Sequence, residues 1–253
     1  NPIHGKVVSS NLCSEILQVQ KASEIGNDQQ YYKMGSDVSC NLGSTNIVNM
    51  METTDFERSV DTMVRALTFV SDNSNLDIVP SVQNGNRELH AVGLGAMGLH
   101  AFFAKNHMHY GDEEAIDFTN AYFLMLNYYT LLASNKIAKE RGESFFEFEK
   151  SAYADGSYFN KYLMADWSPK TDKVKAIFEK HHFPTKHDWA MLKESIQKHG
   201  LYNAYRMAIA PTGSISYVND STASLHPIIN KIEERQEKKI GKIYYPAPYL
   251  GTD

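Results

Sequence analysis

Asn11-Leu12-Cys13-Ser14-Glu15-Ile16-Leu17-Gln18 is the stretch on which the reading of this chain turns. As extended backbone it alternates its side chains between two sides. Asn11, Cys13 and Glu15 then project one way, and Leu12, Ser14 and Ile16 the other. That brings an amide, a thiol and a carboxylate within a few ångströms of one another. An amide orients a hydroxyl, a carboxylate takes its proton, and a thiol exchanges a hydrogen atom or electrons. The residue types alone leave a plainer reading open, since cysteine is often a small buried hydrophobe and glutamate is usually solvated.

The only other cysteine lies in Asp37-Val38-Ser39-Cys40-Asn41-Leu42-Gly43-Ser44-Thr45-Asn46. Asn, Gly, Ser and Thr at this density predict a tight turn with many local hydrogen bonds. Cys40 by itself again reads equally well as a buried core thiol. The two cysteines lack a CxxC pairing and a paired-histidine spacing, so no structural zinc site is expected, nor any other metal site.

Further along, Ala204 to Ala210 reads as an extended segment ending at Pro211. Pro211-Thr212-Gly213-Ser214-Ile215-Ser216 follows it. Gly213 permits close backbone approach, and Thr212, Ser214 and Ser216 supply hydroxyls. Successive backbone N–H groups in such a turn can cradle an anion, more strongly if a helix starts next. The Gly-Lys-Ser/Thr ending of a Walker A loop is missing. On its own the segment also reads as an ordinary turn.

The chain between these segments is mostly helical. The clearest helix is predicted over 55–71, with Thr54 as N-cap, Glu57 completing a capping box, and Phe56, Val60, Met63, Val64, Leu67 and Val70 at helical spacing. A second is expected from Asp112 to Arg141, acidic at its start, basic at its end and stopped by Gly142. Shorter helices are predicted over 171–180 and 186–199, the latter ending at Gly200. Strand-like stretches are short: Val7-Val8 leading into 11–17, and 204–210. Helices separating short strands indicate an α/β class.

The residues quoted above resemble a known family. Asn11 to Gln18 is similar to the active-site finger loop of the ribonucleotide reductase large (alpha) subunit. Ser39-Cys40-Asn41-Leu42-Gly43-Ser44-Thr45-Asn46-Ile47 resembles that family's second redox-cysteine segment, and the order and spacing of the two fit. Residues 210–227 look like its phosphate-binding segment, in the form typical of class Ib enzymes. The resemblance covers essentially the whole chain, so residues 1–253 are expected to be a partial catalytic barrel domain. The family fold it implies is a ten-stranded α/β barrel with the finger loop inside. By resemblance, the family's N-terminal half, with its effector-binding region, and its C-terminal tail, with the radical-relay tyrosines and a cysteine pair, lie outside these residues. A split or interrupted gene, or trimming, would account for that.

What the resemblance implies for chemistry is specific. Cys13 is the thiyl radical that abstracts the 3′ hydrogen of a ribonucleoside diphosphate, Glu15 the general base for the 3′-hydroxyl, and Asn11 a hydrogen-bonding partner of substrate. Asn11, Leu12, Cys13, Ser14 and Glu15, with Pro211, Thr212, Gly213, Ser214 and Ile215, are the implied substrate-binding residues. Cys40 is one half of a redox-active disulfide whose mate lies outside this chain, so Cys13 and Cys40 are not expected to pair. No cofactor is bound directly. The radical comes from a dimetal-tyrosyl small (beta) subunit, ATP and dNTP effectors act on the N-terminal part, and a thioredoxin- or glutaredoxin-like reductant restores the thiols. Complementary alpha segments or an alpha homodimer complete the implied partners. Two other readings stand beside this one: an adenosylcobalamin-dependent reductase, whose loop cysteine and phosphate segment are similar, and a non-catalytic chain that only binds nucleotide or occupies part of an assembly.

Three patterns are set aside. Gly93-Leu94-Gly95-Ala96-Met97-Gly98 matches G-x-G-x-x-G, but the preceding 84–90 is polar rather than a buried strand. A glycine-bearing helix packed closely against a neighbour is expected there instead. The tyrosine pairs 31–32, 128–129 and 244–245 are not expected to be the family's relay pair, and Tyr128-Tyr129 reads as core. His181, His182 and His187 lie in a Lys- and Glu-rich stretch and read as a solvated face.

Composition agrees with an ordinary globular protein. Of 253 residues, 42% are hydrophobic and 22% charged, which excludes a disordered chain. A net charge of −5 gives no global attraction to nucleic acid or anionic membrane. No apolar run approaches the ~20 residues of a membrane span. Two cysteines cannot staple a chain of this length, so a reducing, cytoplasmic setting is expected.

Overall fold

The computed structural model describes residues 2–39, 41–237 and 240–247. An irregular amino-terminal stretch leads to a small antiparallel hairpin of β1 (Glu24–Ile25) and β2 (Tyr31–Lys33). β3 (Leu42–Asn46) then runs directly into α1 (Ile47–Glu52), because Asn46 caps that helix by accepting from Val48 N at 3.1 Å.

α2 (Phe56–Asn73) follows most of the predicted apolar stripe, burying Phe56, Val60, Val64 and Leu67 but leaving Val70 exposed. Its cap is not Thr54. Asp55 is the N-cap and accepts from Arg58 N at 3.0 Å. A carboxylate there satisfies an orphan N–H and also sits at the positive end of the helix. Glu57 is thereby displaced from the capping box and pairs with Lys136 at 2.7 Å. α3 (Pro80–Leu89) occupies a stretch for which no helix is predicted. Packing overrides propensity here: Ser81, Gly85, Asn86 and Leu89 are buried, and Asn86 exchanges two hydrogen bonds with Ser71 of α2.

β4 (Gly93–Met97) corrects the expectation of a helix at the glycine motif. It is a fully buried strand that pairs in parallel with β3, from Leu42 opposite Gly93 to Asn46 opposite Met97. The glycines do mark close packing, as expected, but against extended backbone. A Cβ on Gly95 would lie 2.1 Å from Ala208 O, and one on Gly93 2.8 Å from the Ala208 Cβ. The predicted extended segment 204–210 takes the free edge of β4. Val92 N donates to Tyr205 O, Leu94 N to Arg206 O and Ala208 N to Leu94 O, and a parallel bridge joins Leu94 and Met207.

After α4 (Leu99–Lys105), α5 (Glu113–Arg141) spans the predicted 112–141, with Asp112 as its N-cap residue and Gly142 in the left-handed conformation at its end. α5 is apolar almost all round, as a helix threading the core must be. Phe118, Tyr122, Met125, Leu126 and Leu131 are completely buried. α2 crosses one side of it, held by an Arg65–Glu140 fork with both distances 2.7 Å. α6 (Asn160–Met164), α7 (Asp172–Phe178) and α8 (Lys186–His199) close the other side, where Trp189 stacks on Tyr162 at 4.0 Å. α8 ends at Gly200 as predicted. A single turn, α9 (Ile215–Val218), and an exposed antiparallel hairpin of β5 (Ile232–Glu237) and β6 (Gly241–Pro246) complete the described chain.

The class is mixed α/β, as expected, but no closed barrel is present among the described residues. Their sheets are three strand pairs, and only β3–β4 is parallel, extended by 204–210. Three parallel segments are too few to close a barrel on themselves. Val7-Val8 forms no strand.

Candidate active site

The Cys13 loop is not the extended segment that alternation predicts. Ser14 N donates to Asn11 O at 3.1 Å and Ser14 has φ 60°, so the chain turns sharply at Leu12-Cys13. Asn11 Oδ1 accepts from Ile16 N at 2.9 Å, and the Ser10 and Ser14 hydroxyls lie 3.3 Å apart. The Asn11 side chain offered the backbone a local partner, which with the Ser14 N–Asn11 O turn bond won over extension. Asn11, Cys13 and Glu15 therefore lie on and beside a turn rather than along one strand face. The Cys13 thiol is free and exposed at the tip. Leu12 beside it is 99% exposed. Glu15 is half-buried, with its Oε2 shut off from solvent.

The leg that leaves the turn is firmly seated. Ile16 is buried 3.5 Å from where a Gly93 Cβ would stand, beside Leu42 and Ala208. Gln18, also buried, donates from Nε2 to Ser39 O at 3.3 Å, and Val19 N donates to the Tyr205 hydroxyl at 3.0 Å. The Cys13 loop is thus rooted at the starting ends of β3, β4 and 204–210. Cys40 lies outside the described residues. Its neighbours do not: Ser39 receives Gln18, and Asn41 O accepts from Gly93 N at 2.9 Å. Both cysteine segments are tied to the same strand ends.

Residues 211–216 sit at the opposite ends of those strands. Thr212, with φ 50°, is buried, its carbonyl accepting from Ser216 N at 3.1 Å and its hydroxyl from Ser224 N at 2.7 Å. Ser216 is buried as well, whereas Pro211, Ser214 and Ile215 are exposed and Gly213 half-exposed. Of the three hydroxyl residues expected to face an anion, only Ser214 stands in solvent. α9 begins directly after it but is one turn long. The segment is pinned to the sheet from behind: Asn46 Nδ2 donates to Asn219 O at 3.1 Å, Gly98 N to Ser224 O at 3.1 Å and Ala101 N to the Thr222 hydroxyl at 3.2 Å. Open α/β sheets bind ligands at the carboxyl ends of their strands. From Gly93 to Met97 the strands are about 13 Å long, so one sheet separates the root of the thiol loop from the turn.

The residues that build these supports, Gln18, Asn46, Tyr205, Thr222 and Ser224, lie in stretches the sequence singles out, yet nothing in their type marks them as supports. Their partners are 21 to 186 positions away where they are not local. The histidine reading needs a correction: His181 is only 8% exposed, with Nε2 3.2 Å from Met51 O, and burial holds its pKa below the usual histidine value. His182 and His187 are exposed as expected. Tyr128 and Tyr129 are core, and burial pushes the Tyr129 phenol up to about 12. Tyr31, Tyr32 and Tyr244 are exposed, while Tyr245 packs on the Tyr217 ring at 4.2 Å. Among the described residues no group of three His, Cys, Asp or Glu converges on a metal position, and no helix is long and apolar enough to cross a membrane.

Comparison with known proteins bears on the same residues. A family model described as "Ribonucleotide reductase, barrel domain" matches residues 1–253. The chain is 47% identical over 254 residues to a ribonucleoside-diphosphate reductase subunit alpha of Mycoplasma pneumoniae, covering 98% of this chain and 35% of that protein. It is 46% identical over 248 residues to the subunit of the same name in Bacillus subtilis, again covering 98% of this chain and 35% of the relative. A Chlamydia pneumoniae subunit alpha is 30% identical over 254 residues, of which the match covers 22%. The chain spans about a third of the length of the first two relatives.

Proposed function

Because this chain belongs to the ribonucleotide reductase barrel-domain family, we propose that it is the part of a ribonucleoside-diphosphate reductase alpha chain that carries the reacting thiol. What supports this reading most is one arrangement: a turn presenting a free thiol and a half-buried carboxylate is rooted at one end of three parallel segments, and an exposed Gly-Ser turn closes the other.

In this reading the Pro211–Ile215 turn holds the diphosphate through the backbone N–H groups of Gly213, Ser214 and Ile215. The sugar lies toward Cys13. The Cys13 sulfur takes the 3′ hydrogen atom, Glu15 takes the 3′-hydroxyl proton, and Asn11 hydrogen-bonds the substrate. The 2′-hydroxyl leaves as water. Two thiols supply two electrons and two protons and become a disulfide, with Cys40 as one of them and a cysteine outside these residues as the other. Cys13 then returns the 3′ hydrogen, so the thiyl is regenerated and the product is the 2′-deoxyribonucleoside diphosphate. A dimetal-tyrosyl beta subunit supplies the radical, a thioredoxin- or glutaredoxin-like protein restores the thiols, and ATP and dNTPs regulate from other parts of the alpha chain. The 210–227 segment favours class Ib. The complete domain is a ten-stranded barrel around the finger loop, to which these residues contribute a part, and the setting is cytoplasmic.

Cys13→Ser in the complete alpha chain tests the proposal. It abolishes turnover and leaves nucleoside diphosphate binding intact; full turnover in the variant rules the radical role out. Mass spectrometry of the oxidised enzyme after turnover finds Cys40 bridged to a cysteine beyond these residues. A dominant Cys13–Cys40 bridge contradicts the assignment of roles.

A further inference from the structure

The loop that carries Cys13 has two legs, and the Gln20 side chain makes most of the bonds between them. Gln20 Oε1 accepts from Val8 N at 3.1 Å and from Ser9 N at 2.8 Å, and lies 3.3 Å from the Ser9 hydroxyl. Gln20 Nε2 donates to that hydroxyl at 3.1 Å. The backbone adds a bond from Gln20 N to Lys6 O at 2.9 Å. Neither leg is part of a strand. A side-chain amide therefore does here what a ladder of backbone pairs does in a hairpin.

The two legs differ in how they are supported. The leaving leg is fixed by Ile16 in the core, Gln18 on Ser39 and Val19 on Tyr205. The entering leg is anchored at its start, where Ile3 is buried and Pro2 O accepts from Ala152 N at 2.9 Å, but beyond that Val8, Ser9 and Ser10 are exposed, and apart from the Ser10–Ser14 hydroxyl contact these residues are bound to the fixed leg through Gln20. We infer that Gln20 is a positioning residue that sets where Cys13 stands, by clasping the entering leg of its loop to the anchored one.

The physical consequence separates this role from a structural one. The donors that Gln20 receives are at the surface, so water replaces it at little cost to global stability. What changes is the register of the turn, and a displacement near 1 Å of a reacting group costs on the order of 100-fold in rate. The inference rests on the proposed function for its catalytic part and on the hydrogen-bond geometry for the rest.

The test compares three variants in the complete alpha chain with its radical-generating partner. Gln20→Leu removes the acceptor. Gln20→Glu keeps an acceptor for both N–H groups. Gln20→Asn keeps the amide but withdraws it by one methylene, and stands in for Gln20→Leu should that variant fail to fold. In Gln20→Leu and Gln20→Asn, kcat falls roughly 10- to 100-fold with KM for the nucleoside diphosphate and the unfolding midpoint unchanged. Amide exchange at Val8 and Ser9 accelerates at least about tenfold in these two variants. Gln20→Glu restores both kcat and slow exchange. Wild-type kcat in Gln20→Leu, or an equal loss in Gln20→Glu, overturns the inference. Turnover retained in Cys13→Ser instead strikes the functional reading, and with it the catalytic role of Gln20, while exchange at Val8 and Ser9 still decides whether the clasp exists.

Discussion

At the scale of single residues, chemistry and support are separable. Cys13 is exposed and Glu15 half-buried, and neither is held by its own bulk; both depend on the turn made by Asn11 and Ser14. His181 shows the opposite case, a polar side chain used as core. Burial favours its neutral form, so its pKa in the folded chain lies below the unfolded value of about 6.5. The unfolded chain then binds the extra proton first as pH falls. The stability that His181 contributes is present above about pH 6.5 and is lost as pH drops below it. Denaturation midpoints measured from pH 7.5 to 5 will fall for the wild type, and less steeply for His181→Leu. That variant starts lower by about 1 kcal/mol for the lost bond to Met51 O. An equal slope in both proteins removes His181 from the acid response.

At the scale of elements, periodicity located helices better than it located their ends. α2, α5 and α8 appear where apolar spacing and glycine stops predict them. The α2 cap does not, because Thr54 and Asp55 are adjacent candidates and only the entry angle of the chain chooses between them. Asp55→Ala will lower stability by about 1 kcal/mol and Thr54→Ala by a few tenths, read from urea midpoints. The reverse order would restore Thr54 as the cap. β4 illustrates a harder failure. Gly93 and Gly95 speak against both helix and strand by propensity, and the strand exists because Ala208 approaches from one side and Leu42 from the other. Gly95→Ala drives a Cβ into the Ala208 carbonyl, which no rotamer relieves. It will cost about 1–3 kcal/mol or more, and a wild-type thermal midpoint in that variant would remove the close-approach account.

At the scale of the whole molecule, the described residues bury one continuous core but leave apolar groups standing around the site: Val8, Leu12, Leu17, Ile215 and Val218 are all exposed. Such surface, beside the outer edge of β3, favours association. The 253-residue chain by itself will run as soluble aggregate or sediment in size-exclusion chromatography with light scattering, and complementary alpha segments will suppress this; a stable monomer with turnover contradicts it. The long helices were legible from apolar spacing over 55–71 and 112–141, and the family from residues 11–18, 39–47 and 210–227, because residue type and spacing are local properties. The shape of the Cys13 turn was not, since alternation assumes an extended chain and Asn11 and Ser14 supply their own partners. Nor were the β4 strand, the α3 helix or the buried His181, each of which is decided by neighbours distant in sequence. Local sequence by itself determined which segments the proposal places at the site. Only the tertiary structure decided which ends of the sheet they occupy and which side chains hold them there, because burial and strand pairing are set by contacts between segments far apart along the chain.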